Sequence, residues 1–160
     1  MSSDDIISSD ASLNADQLRT FVTILDMIVP ASDDGRFPSA ADMDVLSYIV
    51  KTEPELLDTI CVELDRLNAV SKDLHGMVFG DVGGSARQKL LDEMRDFEPR
   101  FLRGLALQTV TLYYQDDQVM EAIGLEARPP FPEGYEVVAG DLSLLDPVRA
   151  RGQVYRDVES

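Results

Sequence analysis

The prolines decide most of what this chain can fold into. Eight are present. Proline in a helix interior removes a hydrogen bond and clashes with the preceding turn, so it marks helix ends. Pro30 closes a run of apolar residues at helical spacing, and Pro38 ends the turn-rich loop that follows. Pro54 and Pro99 stand where new helices open, a position at which the missing N–H costs nothing. The other four (Pro129, Pro130, Pro132 and Pro147) crowd into the last stretch of the chain.

Between these breaks the apolar residues repeat as helices require. Asn14 and Gln17 have the spacing of a capping box, with Leu13 placed to staple to Leu18. Leu18, Phe21, Val22, Leu25, Ile28 and Val29 supply a first stripe. Ser39 with Asp42 predicts a second helix bearing Met43, Leu46, Ile49 and Val50. Thr52 with Glu55 predicts a third, bearing Leu57, Ile60, Cys61, Leu64 and Leu67.

The glycine-rich stretch from His75 to Gly84 breaks the period, and Met77, Val78 and Phe79 read as a short extended piece laid on the core. Ser85 with Gln88 predicts the cap of a fourth helix carrying Leu90, Leu91, Met94 and Phe97. The fifth runs from Pro99 through Phe101, Leu102, Leu105, Ala106, Thr109, Val110, Leu112 and Tyr113. Apolar residues surround more of it than of the others, which marks it as the central helix. Val119, Met120 and Ile123 form a last short helix that Gly124 ends.

After residue 125 the helical period is lost. The segment still carries Phe131, Tyr135, Val137, Val138, Leu142, Leu144, Leu145, Val148, Val154 and Tyr155, too many apolar groups for a disordered tail. Such a segment has to bury them against something. The expected organisation is a flexible lead over 1–12, a helical domain over 13–125 and an extended partner-binding tail over 126–160. The fold class is all-α, a compact bundle of about five to six helices with a long extended C-terminal tail.

Charge narrows the partners. Thirty Asp and Glu stand against fourteen Lys and Arg, a net charge of −16. Nucleic acid and anionic membranes both select for cationic surfaces, so neither is expected here. No stretch approaches the roughly 18 apolar residues of a membrane span. The first residues, Met1-Ser2-Ser3-Asp4-Asp5, are acidic and polar, without a basic region, an apolar core or paired arginines. The expected location is cytoplasmic, or periplasmic if the chain travels with an exported partner or has had a signal removed.

Material for chemistry is scarce. There is one histidine, His75, and one cysteine, Cys61. Zinc, copper and haem sites need clusters of such ligands. Cys61 lies in an apolar pattern and reads as a small core residue, and His75 as a loop residue beside glycine. Asp33-Asp34-Gly35 lacks the rest of a calcium loop and reads as a turn. Gly80-Asp81-Val82-Gly83-Gly84 has neither the spacing nor the Lys-Ser/Thr ending of a phosphate loop. No catalytic, cofactor-binding or metal-ligating residue is assigned. Tyr113 and Tyr114 are adjacent on the fifth helix, where neighbouring positions face about 100° apart. One can fill the core while the other meets a partner. The candidate partner interface comprises Tyr113, Tyr114, Phe131, Tyr135, Val137, Leu142, Leu144, Leu145 and Tyr155.

Two segments together resemble a known family. Leu25-Asp26-Met27-Ile28-Val29-Pro30-Ala31-Ser32-Asp33, then Phe37-Pro38-Ser39-Ala40 and the helix through Val45 and Tyr48-Ile49, is similar to the opening of the gluconate 2-dehydrogenase subunit 3 family. Thr111-Leu112-Tyr113-Tyr114 through Ile123-Gly124-Leu125 to Pro129-Pro130-Phe131-Pro132 is similar to its closing pattern. The resemblance covers about residues 14 to 135. It departs from the family in two places: many members begin with a twin-arginine signal, absent here, and Ser39 replaces a frequent glycine.

The resemblance implies a non-catalytic small subunit of a sugar or alcohol oxidoreductase complex. The large subunit of such a complex is a flavoprotein of the glucose-methanol-choline type, carrying FAD and the catalytic residues, and some systems add a cytochrome c subunit. The small subunit supports folding, stability or maturation of the large one. Two other readings stand beside it. A free-standing helical adaptor would pack its tail on its own bundle, and a small enzyme would work with carboxylates in a helical pocket.

Overall fold

The computed structural model describes residues 13–128, 131, 132, 134, 136 and 139–151. Among them are seven α-helices and no strand. They are α1 (Ala15–Ile28), α2 (Val45–Thr52), α3 (Glu55–His75), α4 (Gly84–Phe97), α5 (Pro99–Tyr113), α6 (Asp117–Ala122) and α7 (Asp146–Ala150). Three 3-10 turns, Ala40–Asp42, Phe79–Asp81 and Leu142–Leu145, complete the regular structure. The chain divides into two compact units, Met1–Ala127 and Arg128–Ser160.

The first unit is a helical bundle whose local signals begin as the sequence predicts. The Asn14 side chain accepts from the Asp16 and Gln17 amides, and Gln17 Oε1 accepts the Asn14 N–H at 2.9 Å. Three N–H groups at the start of α1 are thereby satisfied. The buried stripe of α1 runs through Gln17, Thr20, Phe21, Ile24 and Leu25, while Leu18 and Val22 stand exposed. It is therefore rotated from the predicted one, because Gln17 and Thr20 are buried by bonding across to α3 rather than by being apolar. Gln17 Nε2 donates to Asp65 at 3.0 Å.

The other predicted caps are displaced. Ser39 and Asp42 do form a capping box, but it closes the 3-10 turn Ala40–Asp42. Helix α2 starts later, on Asp44, and buries Val45 and Ile49. Thr52 ends α2, its hydroxyl spent on the Tyr48 carbonyl at 2.8 Å, so α3 opens on Pro54 without a side-chain cap. Ser85 lies inside the first turn of α4, whose N-cap is Gly83. Ser39 and Thr52 had the right spacing but were claimed by an earlier element, whereas α4 simply starts before Ser85.

Gly76 ends α3 in the left-handed conformation at φ 73°, which favours glycine. The predicted extended piece is instead the 3-10 turn Phe79–Asp81, with Val78, Phe79 and Val82 buried. Asn68 Oδ1 accepts the Phe79 N–H at 3.1 Å, and Arg87 donates to the carbonyls of Gly80 at 3.2 Å and Val82 at 2.9 Å. This turn packs so tightly on α1 that a Cβ at Gly80 would come within 2.8 Å of Arg19 Cγ.

Helices α4 and α5 are joined by Glu98 alone. Helix α5 packs against α1, α2, α3 and α4, which makes it the central helix, and it buries Phe101, Leu105, Gln108, Thr109 and Tyr113. Phe21, Phe79 and Phe101 are among the largest fully buried side chains. Burying each such side chain is worth about 1.5–3 kcal/mol. Cys61 is half-buried rather than a core residue. In the second unit, residues 142–150 form a 3-10 turn followed by one short helix, so the segment is not extended throughout.

Candidate partner-binding surface

The two adjacent tyrosines have different fates. Tyr113 is 3% exposed, and its hydroxyl donates to the Pro38 carbonyl at 3.0 Å, tying the end of α5 to the loop before α2. Burial, followed by the nearby Tyr114 and Asp116, raises its pKa above the ordinary 10.0. Tyr114 is 56% exposed and meets Tyr113 edge-on, with ring centroids 5.6 Å apart. Of the pair, Tyr114 is the one on the surface. Leu107 and Val110 lie on the same helix and are exposed as well.

In the second unit Phe131 is 86% exposed, and Leu142, Leu144, Leu145 and Val148 are exposed too. Asp141 caps the turn through the Ser143 amide and hydroxyl, and these bonds hold its carboxyl below the usual carboxylate range. Leu142, Leu144 and Leu145 are thus presented on one short ordered stretch. Tyr135, Val137 and Tyr155 lie outside the described residues.

The residues weighed for chemistry sit apart. His75 is an exposed residue in the last turn of α3. Cys61 is on the same helix, and burial, then the charges of Asp58 and Asp65, push its thiol pKa up from 9.0. The Asp34 carboxylate is consumed by its own turn, accepting from the Ser32 hydroxyl and the Arg36 amide, which lowers its pKa. Among the described residues no group of three or more His, Cys, Asp or Glu could hold a metal ion. Nor is any described helix long and apolar enough to cross a membrane.

One surface feature escaped the sequence. A groove of about 180 Å3 runs between α3 and α4, with Leu67, Val70, Leu90, Met94 and Phe97 lining it. Phe97 was expected in the core, but it is 78% exposed because α4 ends there and the chain turns sharply at Glu98.

Residues 15–129 match the family model described as gluconate 2-dehydrogenase subunit 3. The chain belongs to that family. No curated protein and no solved structure matches it. The match of the gluconate 2-dehydrogenase subunit 3 model begins with α1 and ends just beyond α6, so it takes in the whole bundle. The family takes its name from a subunit of a dehydrogenase complex. Both segments on which the resemblance rests, the α1–Pro30 passage and the end of α5 with α6, are joined in space by the Tyr113–Pro38 bond.

Proposed function

We propose that this chain is the non-catalytic small subunit of an FAD-dependent oxidoreductase complex of the glucose-methanol-choline type, acting on a sugar or alcohol. It supports folding, stability or maturation of the catalytic flavoprotein, which carries the FAD and the reacting groups. The observation that carries this reading is the family match over residues 15–129, which spans the bundle from end to end. The exposed apolar side chains Tyr114, Phe131, Leu142, Leu144 and Leu145 support it, since such groups gain most when a partner covers them.

In this reading the bundle provides a rigid body and the segment after Arg128 provides part of the grip. A stable assembly of this kind buries more than about 2,000 Å2 in total. A cytochrome c subunit, where the complex has one, takes electrons from the flavoprotein rather than from this chain.

Co-expression with the large flavoprotein subunit tests the reading. The two chains are expected to co-purify, and the flavoprotein is expected to be less soluble or less active when made alone. If the chains never associate and the flavoprotein is equally soluble and active without this one, the reading fails.

A further inference from the structure

We infer that the groove between α3 and α4 receives one bulky apolar side chain of the catalytic subunit, flanked in that subunit by a Lys or Arg. The inference rests on the small-subunit reading and names a part of its interface that the family match does not assign.

Shape comes first. The groove has a volume of about 180 Å3 and an apolar floor of Leu67, Val70, Leu90 and Met94. A space of roughly 150 Å3 lined by aliphatic side chains takes a benzene ring, so this one takes a Phe, Leu or Met side chain. Phe97 stands at its rim, largely in water. A large aromatic group left that exposed gains from being covered, and a side chain seated in the groove would cover it.

Charge then selects the neighbour of that side chain. Glu63 lines the same groove and is 9% exposed. Its Oε2 is shut from water and accepts no hydrogen bond. Arg66, the cation paired with it among the described residues, stays 3.8 Å away with its side chain mostly in solvent. A carboxylate withdrawn from water without full pairing is costly, and a second cation held at the mouth of the groove offsets part of that cost through space. Glu93 and Glu98 line the groove as well, and Glu93 meets the exposed Lys89 at 4.0 Å. Three carboxylates around an apolar seat, against one arginine, fit an apolar anchor beside a basic residue and disfavour an acidic one.

The test uses the full chain co-expressed with the large flavoprotein subunit, with affinity measured for the purified pair. Phe97→Ser removes an exposed side chain and should not affect folding, and Glu63→Gln keeps size while removing charge. Each is expected to weaken association by about tenfold or more, with unchanged helical circular dichroism. The Glu63→Gln complex is also expected to lose part of its salt dependence. Hydrogen exchange in the wild-type complex is expected to slow over residues 63–70 and 90–97. If wild type associates and both variants bind as tightly, without protection of those residues, the groove assignment is wrong and the small-subunit reading stands. If wild type does not associate at all, both fall.

Discussion

The Thr20 hydroxyl donates to Asn68 Oδ1 at 2.7 Å, with both side chains buried between α1 and α3. The same oxygen accepts the Phe79 N–H at 3.1 Å. Because a backbone N–H can only donate, this bond fixes the orientation of the amide. One side chain thus holds two helices and a 3-10 turn in register. Asn68→Ala leaves two buried donors unpaired and is expected to destabilise the fold by about 2–4 kcal/mol. Urea denaturation of the two proteins measures it, and a loss under 1 kcal/mol (roughly one ordinary hydrogen bond) would contradict it.

Tyr113→Phe keeps the ring in the core and deletes only the bond to Pro38. The expected cost is about 1 kcal/mol, with the fold retained. Thermal melts should show a small downward shift. A collapse of the bundle would mean that the hydroxyl does more than tie a loop.

Gly80→Ala asks Arg19 to move. The added Cβ would meet Arg19 Cγ at 2.8 Å and the Arg19 carbonyl oxygen at 3.1 Å. The side chain can swing away, but the backbone oxygen belongs to α1 and cannot do so cheaply. A loss of about 1–3 kcal/mol is expected. Because Asp81 follows at once, the Arg19–Asp81 ion pair at 2.7 Å should loosen too, which a crystal structure of the variant would reveal.

Cys61 gives a pH signature. Its thiol is raised above 9.0 by burial first, then by Asp58 and Asp65. A raised folded value means that folding favours the protonated thiol. This contribution is fully present below the unfolded pKa and is lost as pH climbs through the folded one. Alkylation of the native chain at about pH 8 should be slower than in denaturant, since the thiolate is the nucleophile. Equal rates would show that the thiol is not held back.

Much of the fold could be read from the residues. The Asn14–Gln17 box, the stops at Pro30 and Gly124, the start at Pro99 and the central place of α5 all follow from local chemistry acting within one turn. The failures were of position. Ser39 closes a 3-10 turn and Thr52 bonds back into α2, so neither serves the helix its spacing suggested, and α4 starts before Ser85, on Gly83. Ile24 sits at the heart of the α1 stripe, but Gln17 and Thr20 share its burial, and no apolar pattern reports a polar group that is buried through a bond to another helix.

The candidate surface was less legible. Sequence could rank Tyr113 and Tyr114 as a core-and-surface pair but could not order them, because that depends on which carbonyl the hydroxyl reaches. Phe97 looked like one more core residue, since its spacing from Leu90 and Met94 is helical. Only the sharp turn at Glu98 takes it out of the core and onto the rim of the groove.

The helix at the centre of the bundle is the fifth to be made. Every earlier helix packs against it, so none of them has a finished neighbourhood until Tyr113 has left the ribosome. At 5–20 residues per second, the wait between completing α1 and completing α5 is roughly 4 to 17 s. Throughout that interval Phe21, Ile24 and Leu25 lack part of their covering. A chain built this way folds late and all at once, and a cut or stall before residue 99 yields sticky, unfinished protein rather than a smaller stable piece.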